Sequence, residues 1–151
     1  MTQRTALVTV IVIAALVTAA AAQEGGYRAE ESPFQGSFDY RVNDDLQPMV
    51  EVAGVRWTRF GVYVKSDREL DPEKETPITV ELGFVNTNSD SVRVLVIALF
   101  EDDNGVTLDR LECAKVKANK DALKEAVQKY KISGAVLQAT RRVYLFCEVE
   151  R

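Results

Sequence analysis

The chain has few of the residue types on which enzymes depend. Its 151 residues include no histidine and two cysteines, Cys113 and Cys147. The absence of histidine excludes Ser-His-Asp and Cys-His catalysis, histidine metal ligands and histidine pH switches. No S-x-x-K motif supplies a lysine base to a serine either. We therefore predict a protein that is not an enzyme and needs no cofactor.

Oxygen ligands are concentrated at one predicted turn. This acidic turn contains Glu101, Asp102, Asp103, Asn104 and Asp109. Calcium takes six to eight oxygen ligands, but the spacing here is not that of an EF-hand loop. Paired carboxylates also serve in glycoside hydrolysis, yet the acid-rich stretches fall in predicted loops. We interpret the acidic turn as solvated and expect no metal site.

Aromatic residues offer a second kind of candidate site. An exposed platform for a glycan or a peptide could be formed by Trp57, Tyr63, Tyr144 and Phe146. Large aromatic side chains in two-sheet proteins more often fill the core. We therefore expect these side chains in the core, and the platform remains the alternative.

The N-terminus has the pattern of an export signal. Arg4 precedes an uncharged run over Thr5–Ala22 that is rich in apolar residues, with the small residues Ala20-Ala21-Ala22 at its end. A positive start, an apolar middle and an A-x-A end are typical of a cleaved signal peptide. We predict a signal peptide over residues 1–22 and a periplasmic or secreted mature protein. The alternative is an uncleaved anchor, since the uncharged run of 18 residues is just long enough to span a bilayer.

Export changes the interpretation of the two cysteines. In an oxidising compartment, two cysteines most often form one disulfide. We predict a Cys113–Cys147 bond, which would close a loop worth about 3–4 kcal/mol in the chain-entropy model. The alternative is a pair of buried free thiols. A redox site is not expected because the chain has no C-x-x-C spacing.

Charge and composition predict one soluble domain after a short leader. Lys and Arg number 19 against 23 Asp and Glu, for a net charge of −4. A mildly acidic chain has no general attraction for phosphate backbones, so we expect no nucleic-acid partner. Residues 23–36 are polar, with paired glycines and a proline, and predict a flexible leader. The domain itself is expected over residues 37–151.

Apolar residues alternate with polar ones in much of this domain, as in half-buried strands. About seven strands are predicted: Ser37–Val42, Met49–Val55, Trp57–Lys65, Ile78–Asn86, Val92–Phe100, Val106–Cys113 and Arg142–Val149. Short turns between most of them favour antiparallel pairing. The segment Val92–Phe100 is apolar on both faces, so we expect it in a central position or under a helix. The charged stretch Ser66–Pro77 predicts an exposed loop.

One helix is predicted before the last strand. Over Asn119–Lys131, an apolar stripe recurs at intervals of three and four residues and consists of Leu123, Ala126, Val127 and Tyr130. Asn119 is the expected N-cap, and Ser133-Gly134 is expected to end the helix.

The centre of the chain resembles a known family. The order begins with Gly83-Phe84-Val85-Asn86 and a turn. An apolar strand comes next and ends in Ile97-Ala98-Leu99-Phe100-Glu101, and an Asp-rich turn then closes at Gly105. Over Val50–Leu111 this order resembles the FxLYD-type immunoglobulin-like domains of exported prokaryotic proteins. The resemblance implies an immunoglobulin-like fold outside the cytoplasm and supplies no catalytic residue.

These observations together define the expected fold and role. We predict a mainly β protein, an immunoglobulin-like antiparallel β-sandwich with one α-helix inserted near the C-terminus. The expected function is that of an exported, non-catalytic domain that binds another envelope or extracellular protein or has a structural role in the envelope. The alternative is a small-ligand or carbohydrate-binding module. Membrane contact is expected only if the signal is uncleaved.

Overall fold

The chain folds into two β-sheets and one short helix. The structure is a computed structural model that describes residues 26–65 and 69–151, so the predicted signal peptide over residues 1–22 lies outside the described residues. The elements, in chain order, are β1 Arg28–Glu30, β2 Phe34–Asp39, β3 Asp45–Leu46, β4 Val50–Val52, β5 Val55–Tyr63, β6 Glu75–Asn86, β7 Val92–Glu101, β8 Thr107–Glu112, β9 Val116–Ala118, β10 Leu123–Ser133, α1 Gly134–Ala139 and β11 Arg142–Glu150.

Strand pairing divides these elements between two sheets. Sheet A has the order β1-β4-β5-β6-β10, with β3 also paired to β5. Sheet B has the order β2-β11-β7-β8, with β9 also paired to β7. All pairs are antiparallel except β1 with β4. The long strands therefore pair as their short connections predicted.

Inward side chains of both sheets form one hydrophobic core. In sheet A, β5 buries Trp57 and Phe60, and β6 buries Leu82 and Phe84. Sheet B contributes every second residue of β7 and β11 to the same cluster. Burial of each large apolar side chain stabilises the fold by about 1.5–3 kcal/mol. The two-residue alternation in the sequence therefore determines which side of each strand faces the core.

The predicted strands are present, but the strand count is not seven and the expected topology is not confirmed. Each of the seven predicted strands has a counterpart, and β1, β3, β9 and β10 bring the described total to eleven. An immunoglobulin constant domain places its first, second, fourth and fifth strands in one sheet. Among the strands of six or more residues here, sheet B holds the first, fourth, fifth and seventh. The last strand, β11, lies between β2 and β7, which produces this different arrangement.

The helix predicted over Asn119–Lys131 is wrong, because most of that segment is strand β10. Strand β10 pairs with β6 along eleven consecutive positions. Its inward side chains alternate, and Tyr130 and Ile132 pack against the core. Leu123 and Val127, which we assigned to the apolar stripe of a helix, are 61% and 63% exposed. Tertiary pairing therefore overrides the helix propensity of this segment. The only helix in the described residues, α1, starts at the glycine that we expected to end one.

Two other segment boundaries differ from those we expected. Residues 28–30 and 34–36, which we placed in a flexible leader, form β1 and the first half of β2. Phe34 is buried and pairs with Cys147, so the ordered domain begins before residue 37. Strand β6 begins at Glu75, within the stretch predicted as a loop.

The predicted disulfide is also wrong, since Cys113 and Cys147 are free thiols. They lie on opposite sides of β7. The Cys113 N–H donates to the Val96 carbonyl at 2.9 Å, and Cys147 pairs with Val96 from the other neighbouring strand. Two strand spacings separate the Cα atoms by roughly 9–10 Å. A disulfide requires at most about 7 Å, so the sheet prevents the bond.

Because the two thiols are buried, the stability of the fold depends on pH in the alkaline range. It raises the pKa of Cys113 and of Cys147 from the ordinary 9.0 to about 12. Between these values the unfolded chain releases protons that the folded chain retains. The contribution of the two protonated thiols to the free energy of unfolding is therefore complete below pH 9.0. It is lost as the pH rises towards 12, by about 1.4 kcal/mol per pH unit for each thiol.

We predict that the melting temperature falls above about pH 9 and falls less steeply in the Cys113→Ala/Cys147→Ala variant. Differential scanning calorimetry between about pH 8 and pH 11 measures both slopes. Equal slopes would contradict the presence of two buried, titrating thiols.

The buried Asn86 connects β6 to the turn before β7 and to the end of β9. Its side chain is fully buried and donates to the carbonyl groups of Asp90, at 2.8 Å, and Ala118, at 3.1 Å. Its Oδ1 accepts from the backbone N–H of Asn88 at 3.0 Å. The amide thus satisfies three backbone groups that would otherwise lack these partners.

Replacement of Asn86 by alanine is predicted to lower the free energy of unfolding by about 3 kcal/mol, since each lost hydrogen bond costs about 1 kcal/mol. Asn119→Ala is the matched control, because Asn119 is exposed and accepts one long hydrogen bond from Ser91. Urea denaturation of both variants measures the difference. A loss no greater than that of the control would refute the role of Asn86.

Candidate functional site

The outer face of sheet B carries a row of apolar side chains that the core does not take up. We call this the outer apolar face, and it consists of Leu95, Ile97, Leu99, Tyr144 and Phe146. Tyr144 pairs directly with Leu99, and Phe146 with Ile97, so the side chains form two adjacent rows on β7 and β11. All five are half-buried.

Polar and charged groups surround the outer apolar face. The Tyr144 hydroxyl donates to Gln35, and Arg142 donates to the Ser37 hydroxyl at 2.9 Å. On the other side, Arg110 forms an ion pair with Glu112 at 3.0 Å. An apolar centre with a polar rim is the usual anatomy of a protein interface.

The fold explains why no helix covers the apolar outer side of β7. We expected this strand in a central position or under a helix. It lies centrally in sheet B, between β11 and β8, whereas the segment that we predicted as a helix forms β10 of sheet A. The short helix α1 contacts β10, which it directly follows, and leads into β11. The side chains that predicted a covered strand are therefore left at the surface.

A second candidate surface is a groove on the outer face of sheet A. We call it the lysine groove, a hollow of about 720 Å³ whose lining includes Tyr63, Lys65, Pro77, Thr79, Lys129 and Lys131. Tyr63 pairs with Thr79, and Thr79 pairs with Lys129. In the next row, Pro77 pairs with Lys131. Short side chains on β6 therefore form the floor, and long ones on β5 and β10 form the walls.

A polar network positions Tyr63 at one wall of the lysine groove. Arg59 donates to the Tyr63 hydroxyl at 3.1 Å and forms ion pairs with Asp45, at 2.8 Å, and Glu81, at 2.7 Å. The hydrogen bond to Asp45 raises the pKa of Arg59, and burial raises the pKa of Tyr63. The tyrosine ring leans over Gly61, where a Cβ atom would overlap its hydroxyl end.

The charges at the lysine groove are not balanced. Arg59 already neutralises Glu81, the carboxylate nearest the floor. Lys65, Lys129 and Lys131 are exposed and have no ion pair among residues 26–65 and 69–151. The groove is therefore a positive site on a chain whose net charge is −4.

The aromatic residues proposed as a platform do not come together. Trp57 is fully buried, and its indole N–H donates to the Arg59 carbonyl at 2.9 Å. Tyr63 lies on sheet A, whereas Tyr144 and Phe146 lie on the outer face of sheet B. The core interpretation thus holds for Trp57, and the other three side chains belong to two separate surfaces.

The acidic turn is held together by its own backbone. Asp102 accepts hydrogen bonds from the N–H groups of Asn104, at 2.8 Å, and Val106, at 2.9 Å. Glu101 is buried in β7, away from the tip of the turn. In the described part of the chain, no three Asp, Glu or Cys side chains are grouped as metal ligands.

The lysine groove was missed by our sequence analysis because β10 was taken for a helix. On a helix, Lys129 and Lys131 would point in different directions. The signal that could have revealed the strand is the alternation of these lysines with Tyr130 and Ile132, which is a two-residue period.

Comparisons with known proteins add little. No family model matches the chain, and no curated protein matches it. Among solved structures, the Avr2 effector protein from the fungal plant pathogen Fusarium oxysporum aligns with 84% of this chain and 94% of its own, at 10% identity and a TM-score of 0.35. A likeness this distant carries no argument about function. Within the described residues, no helix combines the length and the apolar character needed to cross a membrane.

The position of Trp57 generates a direct prediction. A buried indole is expected to emit at short wavelength and to resist quenching by iodide, and Trp57→Ala is expected to lower the free energy of unfolding by about 3–5 kcal/mol. Fluorescence and urea denaturation measure the two effects. Emission typical of a solvated indole would place Trp57 on a surface platform instead.

Proposed function

We propose that the chain is an exported, non-catalytic domain that binds another envelope or extracellular protein through the outer apolar face. The observation that carries this proposal is the half-buried row of Leu95, Ile97 and Leu99 on β7, beside Tyr144 and Phe146 on β11. Contiguous apolar surface of this kind with a polar rim is characteristic of interaction sites. The predicted signal over residues 1–22 supports export.

The proposed architecture is a β-sandwich in which sheets A and B are the two layers. Both sheets contribute to one core, which supports this arrangement. A sandwich leaves the outer face of each sheet available to solvent or to a partner. Aromatic side chains such as Tyr144 and Phe146 are enriched in interface centres, which favours the outer face of sheet B.

Binding through an exposed sheet edge is less well supported. Strand β10 lies at the edge of sheet A and could in principle accept a strand from another chain. Its outward side chains include Lys129 and Lys131, and lysines on an edge strand oppose such pairing. The flat outer apolar face carries no charge at its centre, so it is the better candidate.

Site-specific photo-crosslinking in the producing organism tests this proposal. A photoreactive amino acid at Phe146 or Ile97 is expected to capture the same partner protein, identified by mass spectrometry. The probe at Val127 is the matched control, because Val127 is an apolar residue on the outer face of the other sheet. Leu99→Glu should abolish the crosslink from Phe146 without unfolding the domain.

Three results would contradict the proposal. They are the absence of any crosslinked product, an equal yield of the same product from Val127, and a product that contains only two copies of this chain. The last result would indicate self-association through the outer apolar face rather than a partner protein.

A further inference from the structure

The lysine groove is bounded on both sides and open along its length. Strand β6 runs along the floor, where Pro77 and Thr79 are short, and β5 and β10 supply the walls. Neighbouring strands lie about 4.8 Å apart, so the walls are roughly 10 Å from each other. A single extended chain of flat units fits a groove of this width.

The charge of the lysine groove selects an anionic ligand. Lys129 and Lys131 are two residues apart on the same side of β10, which places their Cα atoms roughly 7 Å from each other. Lys65 extends from the opposite wall, two positions after Tyr63. Of the carboxylates on the outer side of β6, Glu81 is paired with Arg59, and Glu75 lies beyond Pro77 at the end of the strand. Among the described residues, the lysines of both walls therefore have no carboxylate partner.

The uncharged lining indicates which anion the lysine groove favours. Sites built for phosphate use arginine forks, clustered backbone N–H groups or lysines that act as point charges. Here Arg59 is occupied by two carboxylates, and the floor between the lysines consists of a proline ring and a threonine. The Tyr63 ring adds apolar surface at one wall. Apolar rings, a hydroxyl and ammonium groups match the C–H faces, hydroxyls and carboxylates of an acidic sugar.

We propose that the lysine groove binds a carboxylate-bearing oligosaccharide. Sugar rings pack along β6 against Pro77 and Tyr63, and Thr79 hydrogen-bonds a sugar hydroxyl. The carboxylates pair with Lys129 and Lys131 on one wall and with Lys65 on the other. This site lies on sheet A, so it is independent of the outer apolar face on sheet B.

Isothermal titration calorimetry of the purified protein tests the proposal with three probes. The trimer of galacturonate is expected to bind saturably, whereas the trimer of galactose and inorganic phosphate are not. Lys129→Glu/Lys131→Glu should weaken binding of the galacturonate trimer by about tenfold or more. Binding should also weaken as salt rises, because exposed ion pairs are screened.

Lys117→Glu/Lys124→Glu is the matched control, since it makes the same charge change at two exposed lysines outside the lysine groove. This control should bind the galacturonate trimer as the unmodified protein does, and both variants should keep the original melting temperature. The proposal is overturned if the galacturonate trimer does not bind, if the galactose trimer or phosphate binds equally well, or if both variants lose binding to the same extent.

Discussion

The structure depends on one constraint: every long strand has an apolar side that must be removed from water. Strands β6 and β7 show it most clearly, because each buries alternate residues along ten or more positions. Two sheets that share a core satisfy this requirement together. A polar group can lie in that core only when its hydrogen bonds are made there. Asn86 meets this condition, because its side chain binds the backbone of Asp90, Ala118 and Asn88.

The same alternation determines what the surfaces can do. Residues between the buried positions must point outward, so their chemistry is set independently of the core. On β7 and β11 these residues are apolar, and they form the outer apolar face. On β5, β6 and β10 they include Tyr63, Pro77, Thr79, Lys129 and Lys131, which line the lysine groove. One protein therefore presents an apolar surface on one sheet and a positive groove on the other.

Much of the fold could be predicted from the sequence, since Ile78–Phe84 and the other alternating segments read directly as strands. Strand β10 could not, because Ala126, Lys129 and Gln128 are good helix formers and its strand state depends on pairing with β6. The disulfide was predicted wrongly because the sequence does not give the distance between Cys113 and Cys147 in the fold. Only the strand pairing shows that Val96 lies between them. The outer apolar face was foreshadowed in the sequence, because β7 is apolar on both of its sides. The lysine groove could not be predicted without knowing that β10 is a strand beside β6. The resemblance to FxLYD-type domains stays a prediction.

The position of β10 beside β6 connects these conclusions, since it leaves the outer side of β7 uncovered and brings Lys129 next to Thr79. The most direct test is an NMR measurement of cross-strand nuclear Overhauser effects between β6 and β10. The account predicts contacts between the backbones of Val127 and Glu81 and between those of Lys129 and Thr79. Sequential helical contacts throughout residues 123–131, with no contact to β6, would contradict it.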